Sequence, residues 1–421
     1  MTAEVVIMNK RALALATDST VTIGKHSKFH NSVNKLFQLS KYHPVGIMIF
    51  SNAEFMGVPW EIIIKQYRRI IKKEAYKTLE DYCNKFFEYI NSDKLNFKDY
   101  ESKYIYQITN LLVNEVKFKI SDKIREMISE LNRQLEEEEM NKIYNDVIVY
   151  YENTIISNAK DLEGLPVNHR EYIKEKYECA IKRIIEENLD LNFIEEDSLN
   201  AIMTTVINIL CKKIFKSART GVVIAGYGKS DIFPKLFQYD VEGQINGFTK
   251  YCEIKKREIS NSNECWIIPF AQTDTVQTFI RGISPSYSKI IKEYLKNNVI
   301  EEMGPDEEYE ISDKAKEYLK TKLESIDNII QSYSQEEYIN PIIRAVPTLP
   351  IEELASMAES LVNITSFRRQ VCIDDNMLTV GGPIDVAVIS KGDGFIWIKR
   401  KHYFEATYNQ QFFNNYYDDE E

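Results

Sequence analysis

The sequence predicts an α+β fold, with antiparallel strands in groups and helices gathered between them. Three observations lead there. Short apolar runs crowd the first 50 residues, long charged stretches then carry apolar residues at helical spacing, and strand-like runs return near 221 and 384. Strands, helices, strands, helices, strands is the order of a layered sandwich, not of a Rossmann alternation. With 421 residues, 44% hydrophobic and 28% charged, the chain can bury a large core.

Ala3 to Met8 and Ala12 to Ala16 flank Asn9-Lys10, read as a two-residue hairpin turn because Asn tolerates positive φ. Lys35 to Ser40 and Gly46 to Phe50 follow, parted by Tyr42-His43-Pro44, so four strands open the chain as an antiparallel sheet. A helix begins near Pro59-Trp60-Glu61, where proline suits the first helical position and glutamate complements the macrodipole. Ile63, Tyr67, Ile70 and Ile71 keep its period. From 75 to 195 the chain is charged and helical. Leu111, Val113, Val116, Ile120 and Ile124 mark an amphipathic helix, Glu136 to Glu139 a solvated surface, and Gly164-Leu165-Pro166 a break.

A helix over Leu199 to Lys216 leads to strands at Gly221 to Gly226, Lys235 to Tyr239 and Gln244 to Phe248, the last two joined by a Glu242-Gly243 turn. Cys265 to Ile268 is a short strand, Asp274 caps a helix reaching Ile283, and 285–345 is a second helical stretch. Ile351 to Ile364 is helical behind Pro350. Ile384 to Ser390 and Phe395 to Lys399, joined by Lys391 to Gly394, close the core. Gly226-Tyr227-Gly228 is not a phosphate loop, because no Gly-rich turn into a helix surrounds it. The expected organisation is a core over 1–74, 196–284 and 346–404, with helical insertions at 75–195 and 285–345 and an acidic, aromatic tail at 405–421.

The formal net charge is −11, so a phosphate backbone is a disfavoured partner, and Lys72-Lys73 and Lys212-Lys213 read as solvated helix faces. The six cysteines (83, 179, 211, 252, 265 and 372) form no CxxC pair and read as buried, reduced thiols. Five histidines lack metal-site spacing. His26 and His30, four apart, lie in a polar, loop-like stretch, so neither a metal nor an organic cofactor is expected. No charged-then-apolar leader opens the chain, and no run reaches the roughly 18 apolar residues of a membrane span. The expected location is the cytoplasm.

Chemistry enters through the hairpin. A turn at Asn9-Lys10 sets position 8 against 11 and Thr2 against Thr17, which brings Asp18 beside the start of the chain. Lys35 opens the next strand, and an inward lysine among Phe37 and Leu39 needs a counter-ion, for which Asp18 is the obvious choice. Removal of Met1 would leave Thr2 with a hydroxyl and an α-amine together. That amine, with an ordinary pKa of about 8 lowered by a neighbouring Lys⁺, can take the hydroxyl proton. Asp18 would hold Lys35 charged and oriented.

Leu13-Ala14-Leu15-Ala16-Thr17-Asp18-Ser19, with Thr2 sixteen positions before the Asp, resembles the opening of a proteasome β-type subunit. Lys35 to Leu39, Gly46 to Glu54, Gly221 to Tyr239 and Gly381 to Ile389 are similar to later segments of that family, in the same order. The resemblance implies the four-layer αββα sandwich of N-terminal-nucleophile hydrolases and threonine-type amide hydrolysis through an acyl-enzyme. It implies Thr2 as nucleophile and base, Asp18 and Lys35 as the supporting pair, and the backbone N–H of Ser51 as oxyanion donor. It further implies a peptide or protein substrate, a homo-oligomer and room for a regulatory partner.

The sequence departs from the family in two places: Ser51 stands where glycine is usual, and Pro269-Phe270-Ala271 replaces a Gly-Ser-Gly and so lacks a supporting hydroxyl. Asp374 or Asp375 would be the supporting Asp. Two other readings follow from the same residues: a non-catalytic scaffold binding a partner through its helical insertions, and a small-molecule amide hydrolase on one scaffold.

Overall fold

The computed structural model describes residues 2–23, 28–30, 32–95, 97–216, 219–296, 318, 321, 325, 328–371, 381–402, 404–411 and 414. The chain opens with β1 (Ala3–Asn9) and β2 (Ala12–Thr17), then β3 (Val21–Ile23), β4 (Lys28–His30), β5 (Leu36–Gln38), β6 (Val45–Phe50), β7 (Glu54–Phe55) and β8 (Val58–Pro59). Helices α1 (Trp60–Ile71), α2 (Leu79–Ile90), α3 (Lys98–Leu131), α4 (Glu137–Asn158), α5 (His169–Asn188) and α6 (Glu196–Cys211) follow. Then come β9 (Thr220–Gly226), β10 (Lys235–Ile245), β11 (Phe248–Glu258) and β12 (Cys265–Ala271). Helices α7 (Asp274–Arg281), α8 (Pro285–Lys296), α9 (Asn340–Ala345) and α10 (Ile351–Val371) precede β13 (Asp385–Ser390) and β14 (Gly394–Lys399).

The chain is thus mixed α and β, with every strand pair antiparallel. One five-stranded sheet runs β12-β1-β2-β13-β14 and a second runs β11-β10-β9-β6-β5. Alternation divides β1 between two cores. Val6 and Met8 join Leu13 and Leu15 of β2 against Met48 and Phe50 of β6 and Val223 and Ala225 of β9, one cluster drawn from both sheets. Ala3, Val5 and Ile7 pack with Leu354, Ala358, Leu361 and Val362 of α10. The opposite face of the second sheet, through Ile47, Ile49, Val222 and Ile224, packs with α1, α2, α3, α5 and α6. No described helix is long and apolar enough to cross a membrane.

Several local expectations need correction. In the first hairpin Met8 pairs with Leu13 and Glu4 with Thr17, a register two residues away from a turn confined to Asn9-Lys10. The cause is the Asn9 side chain, whose Oδ1 accepts from the backbone N–H of Arg11 and of Ala12 and so holds a longer loop. A shift of two keeps every side chain on its face. Strand β10 continues through Glu242-Gly243, where its register with β11 shifts, and the turn to β11 falls at Asn246-Gly247, both at positive φ. Glu242 is buried and bonded to Lys250, which has no place in a solvent-facing turn. Pro59 and Thr273 are the N-cap residues of α1 and α7, so Trp60 and Asp274 are their first helical positions. Cys179 is exposed and Cys265 half-buried, unlike the buried Cys83, Cys211 and Cys252. Cys372, His26 and the 415–421 end of the tail lie outside the described residues.

Candidate active site

Three segments meet where β1 begins. The Thr2 carbonyl accepts from the N–H of Gln272 at 3.1 Å, just past β12, so the chain start is tied to one neighbouring strand. On the other side, the N–H of Asp18, just past β2, donates to the Ala3 carbonyl at 3.1 Å, and the Ala3 N–H donates to Asp18 Oδ1 at 3.1 Å. Lys35 precedes β5, and its backbone carbonyl accepts from the N–H of Ile49 at 2.9 Å, which fixes it to the second sheet. Its side chain crosses to the first.

The Lys35 ammonium then uses all three of its N–H groups. It donates to Asp18 Oδ1 at 2.7 Å, to Thr2 Oγ1 at 2.9 Å and to the Thr20 carbonyl at 2.6 Å. Asp18 Oδ2 accepts from the N–H groups of Gly381 at 3.0 Å and Thr20 at 3.3 Å. The carboxylate therefore has four donors, one of them from the glycine turn before β13. Thr2 and Lys35 are each 3% exposed and Asp18 is 0% exposed, so this ion pair works in a medium far less screening than water. Burial pushes the Lys35 ammonium below its ordinary pKa, and the charge and hydrogen bond of Asp18 oppose that.

The geometry offers a hydroxyl held by a cation, with the cation held by an anion. That arrangement stabilises negative charge developing on Thr2 Oγ1. Ser51 lies immediately after β6, exposed, with φ at 73°. This left-handed backbone suits glycine, and serine adopts it at a cost. Among the described residues no side-chain bond joins Ser51 to Thr2, Asp18 or Lys35. Ala271, at φ 59°, likewise occupies a glycine-like conformation, and its bend delivers the Gln272 N–H to Thr2. Pro269 sits in β12, an edge strand, where its missing N–H is tolerated. Met1, Asp374 and Asp375 lie outside the described residues.

Sequence reasoning missed Glu4. Its carboxyl is 1% exposed, with Oε1 at 3.2 Å from Thr17 Oγ1. Burial pushes it well above the usual carboxylate range, against the pull of Lys35, while the Asp18 charge adds to the rise. The signal was present: Glu4 shares the inward parity of Val6 and Met8 in a strand otherwise without charge.

No protein-family model and no curated protein sequence matches the chain. Among solved structures it is similar to an Anbu (Gly-1) mutant from Hyphomicrobium sp. strain MC1, at 9% identity and TM-score 0.28, over 100% of this chain and 98% of that one. It is similar to the Anbu complex of Pseudomonas aeruginosa, described as a helical assembly, at 8% identity and TM-score 0.32, over 99% and 94%. It is also similar to Anbu (ancestral beta-subunit) from Yersinia bercovieri, at 10% identity and TM-score 0.29, over 98% and 94%. The resemblance to a proteasome β-type subunit is corrected accordingly: these structures carry the name Anbu and not that of a proteasome β-type subunit. Motifs of strand length record alternation and a glycine turn, and these are too general to single out one family. At such identities and TM-scores, the site's own geometry is the basis for assigning function.

Proposed function

We propose that this chain is a threonine-type amide hydrolase, a peptidase or amidase whose nucleophile is Thr2 once Met1 has been removed. One observation carries the reading: the buried Lys35 ammonium, paired with Asp18 at 2.7 Å, donates to Thr2 Oγ1 at 2.9 Å. A structural Lys–Asp pair has no need of a hydroxyl at the chain start. The architecture we read around it is a four-layer αββα sandwich. The mixed core between the sheets and the helices on each outer face support it. In the same reading 75–195 and 285–345 are insertions into that core, and the protein acts as a homo-oligomer.

In the reaction, the α-amine of Thr2 takes the proton from Oγ1 as the oxygen bonds to the substrate carbonyl carbon. The electron pair of the C=O moves to oxygen, where the N–H of Ser51 is the proposed donor. Collapse breaks the C–N bond, and the leaving nitrogen receives the proton held by the amine. Water, deprotonated by the same amine, then attacks the ester and releases the acid and Thr2. Lys35 stays charged throughout, lowering the cost of negative charge on Oγ1, and Asp18 fixes its position. These steps need no metal.

A non-catalytic scaffold is the second reading, favoured by the 3% exposure of Thr2. Hydrolysis of a mixed peptide–amide library decides between them. Turnover by the wild type that vanishes in Thr2→Ala and Lys35→Ala is expected. Undiminished turnover in Thr2→Ala rejects the proposal, and inert but Met1-free wild type favours the scaffold.

A further inference from the structure

We propose that Glu4 is a positioning residue of this site, donating a hydrogen bond to Thr17 that Thr17 passes on to the backbone of Asp18. The inference rests on Thr2 being the reacting group.

Proton counting supplies the argument. Thr17 Oγ1 lies 3.0 Å from the Asp18 carbonyl oxygen and 3.2 Å from Glu4 Oε1. Both contacts are short enough to be hydrogen bonds, yet a hydroxyl has one proton and donates once. A carbonyl can only accept, so the Thr17 proton goes to Asp18. The contact with Glu4 must then be made by a proton on Glu4, with Thr17 accepting through a lone pair. The three groups form a one-way chain: Glu4 O–H to Thr17 Oγ, and Thr17 O–H to Asp18 C=O.

The surroundings fit that direction. Glu4 lies between Thr17 of β2 and Phe270 of β12 in the sheet, with Val6 beside it on its own face. The charged groups that act on it are Lys35 and Asp18, already paired with each other, and Lys401, which acts on Lys35, is paired with Asp385. Among the described residues no cation is left over for a second carboxylate, and an isolated buried anion is expensive. The other oxygen, Oε2, has no hydrogen-bond partner among the described residues, which a carboxylate tolerates poorly and one oxygen of a neutral acid tolerates better.

What the chain achieves is placement. Asp18 meets the Ala3 N–H and Lys35 through its carboxylate, and reaches Thr2 through Lys35, so that carboxylate points correctly only if the Asp18 backbone is held where β2 ends. Thr17 and Glu4 hold it at its carbonyl, while the Gly381 N–H meets its carboxylate.

Two measurements test this. The first is the infrared difference spectrum between wild type and Glu4→Gln at neutral pH. A carboxylic-acid C=O band present only in the wild type is expected, and its absence overturns the proposal. The second is the rate and pH profile of Thr2 modification by a peptide epoxyketone, in wild type, Glu4→Gln, Glu4→Leu and Thr17→Val. The glutamine amide donates to Thr17 as the acid does, so Glu4→Gln keeps the wild-type rate and profile. Glu4→Leu and Thr17→Val lower the rate about tenfold, the kinetic equivalent of one lost hydrogen bond, and move the profile's midpoint. A Glu4→Gln protein as slow as Glu4→Leu overturns the proposal. If the wild type itself is not modified, the functional reading fails, and the infrared band alone then decides the donor at Glu4.

Discussion

Two buried lysines in this molecule each contact a carboxylate at 2.7 Å, and they do different things. Lys250 of β11 is 3% exposed, like Lys35, and burial lowers its pKa as it does that of Lys35. Its remaining donors go to the backbone carbonyls of Ile209 in the last turn of α6 and of Ile214 just past it, and its partner Glu242 accepts from Tyr104 of α3 and from the N–H of Lys216. All of that knits α3 and α6 to the second sheet. Lys35 spends one donor on a side-chain hydroxyl instead. A buried Lys–carboxylate pair is therefore no sign of chemistry by itself. The third acceptor tells them apart.

Breaking each pair exposes the difference. Lys35→Ala is expected to lower Thr2 reactivity by about 10²–10³-fold, the range for losing one donor to a developing negative charge, as measured by epoxyketone labelling of folded protein. Lys250→Ala is expected to leave reactivity per folded molecule unchanged and to cost about 3–5 kcal/mol in urea unfolding, because Glu242 is left buried and unpaired. Equal reactivity losses in the two variants would erase the distinction.

The pH dependence sharpens the comparison at Glu4. Its folded pKa is raised, so the folded state holds the proton more tightly than the unfolded chain. Its contribution to stability is full below about pH 4.3, the ordinary glutamate value, and is lost as pH rises through the raised one. Urea unfolding at a series of pH values is expected to show that decline in the wild type and a flatter line in Glu4→Gln. Lys35 has the opposite sign: its pKa is lowered, so its burial penalty is relieved as pH rises toward about 10.4, while the ammonium that serves Thr2 is lost.

The smallest effect concerns Ser51. Glycine relieves the strain of φ 73° but adds freedom to the unfolded chain, so Ser51→Gly is expected to gain about 0.5–1 kcal/mol by thermal unfolding. Its backbone N–H, and so the proposed oxyanion contact, is kept.

These contrasts also show what sequence alone could reveal. The meeting of Thr2, Asp18 and Lys35 was legible because β-strand parity survives an error of two in register. The hairpin was misplaced, and the inward set was not. Strand β11 was hidden for the same physical reason that β1 was visible. As an edge strand it exposes Glu253, Ile254, Lys256 and Glu258, and Lys255 and Arg257 cover aromatic rings with charged side chains, so its second half lacks an apolar alternation. The Glu242-Gly243 turn was read from two residues that favour turns, whereas Lys250 on the paired strand and Tyr104, far along the chain, keep Glu242 inside. Glu4 shares the inward parity of Val6 and Met8, and a carboxyl on that face is buried only because the second sheet packs against it.

The central claim is that Thr2 is a reactive nucleophile, and an intact-mass spectrum after treatment with a peptide epoxyketone tests it directly. That warhead needs a hydroxyl and a free α-amine on one residue. Loss of one methionine and one covalent adduct, absent in Thr2→Ala, are expected. A protein trimmed to Thr2 that takes up no adduct, or an adduct that persists in Thr2→Ala, would contradict the claim.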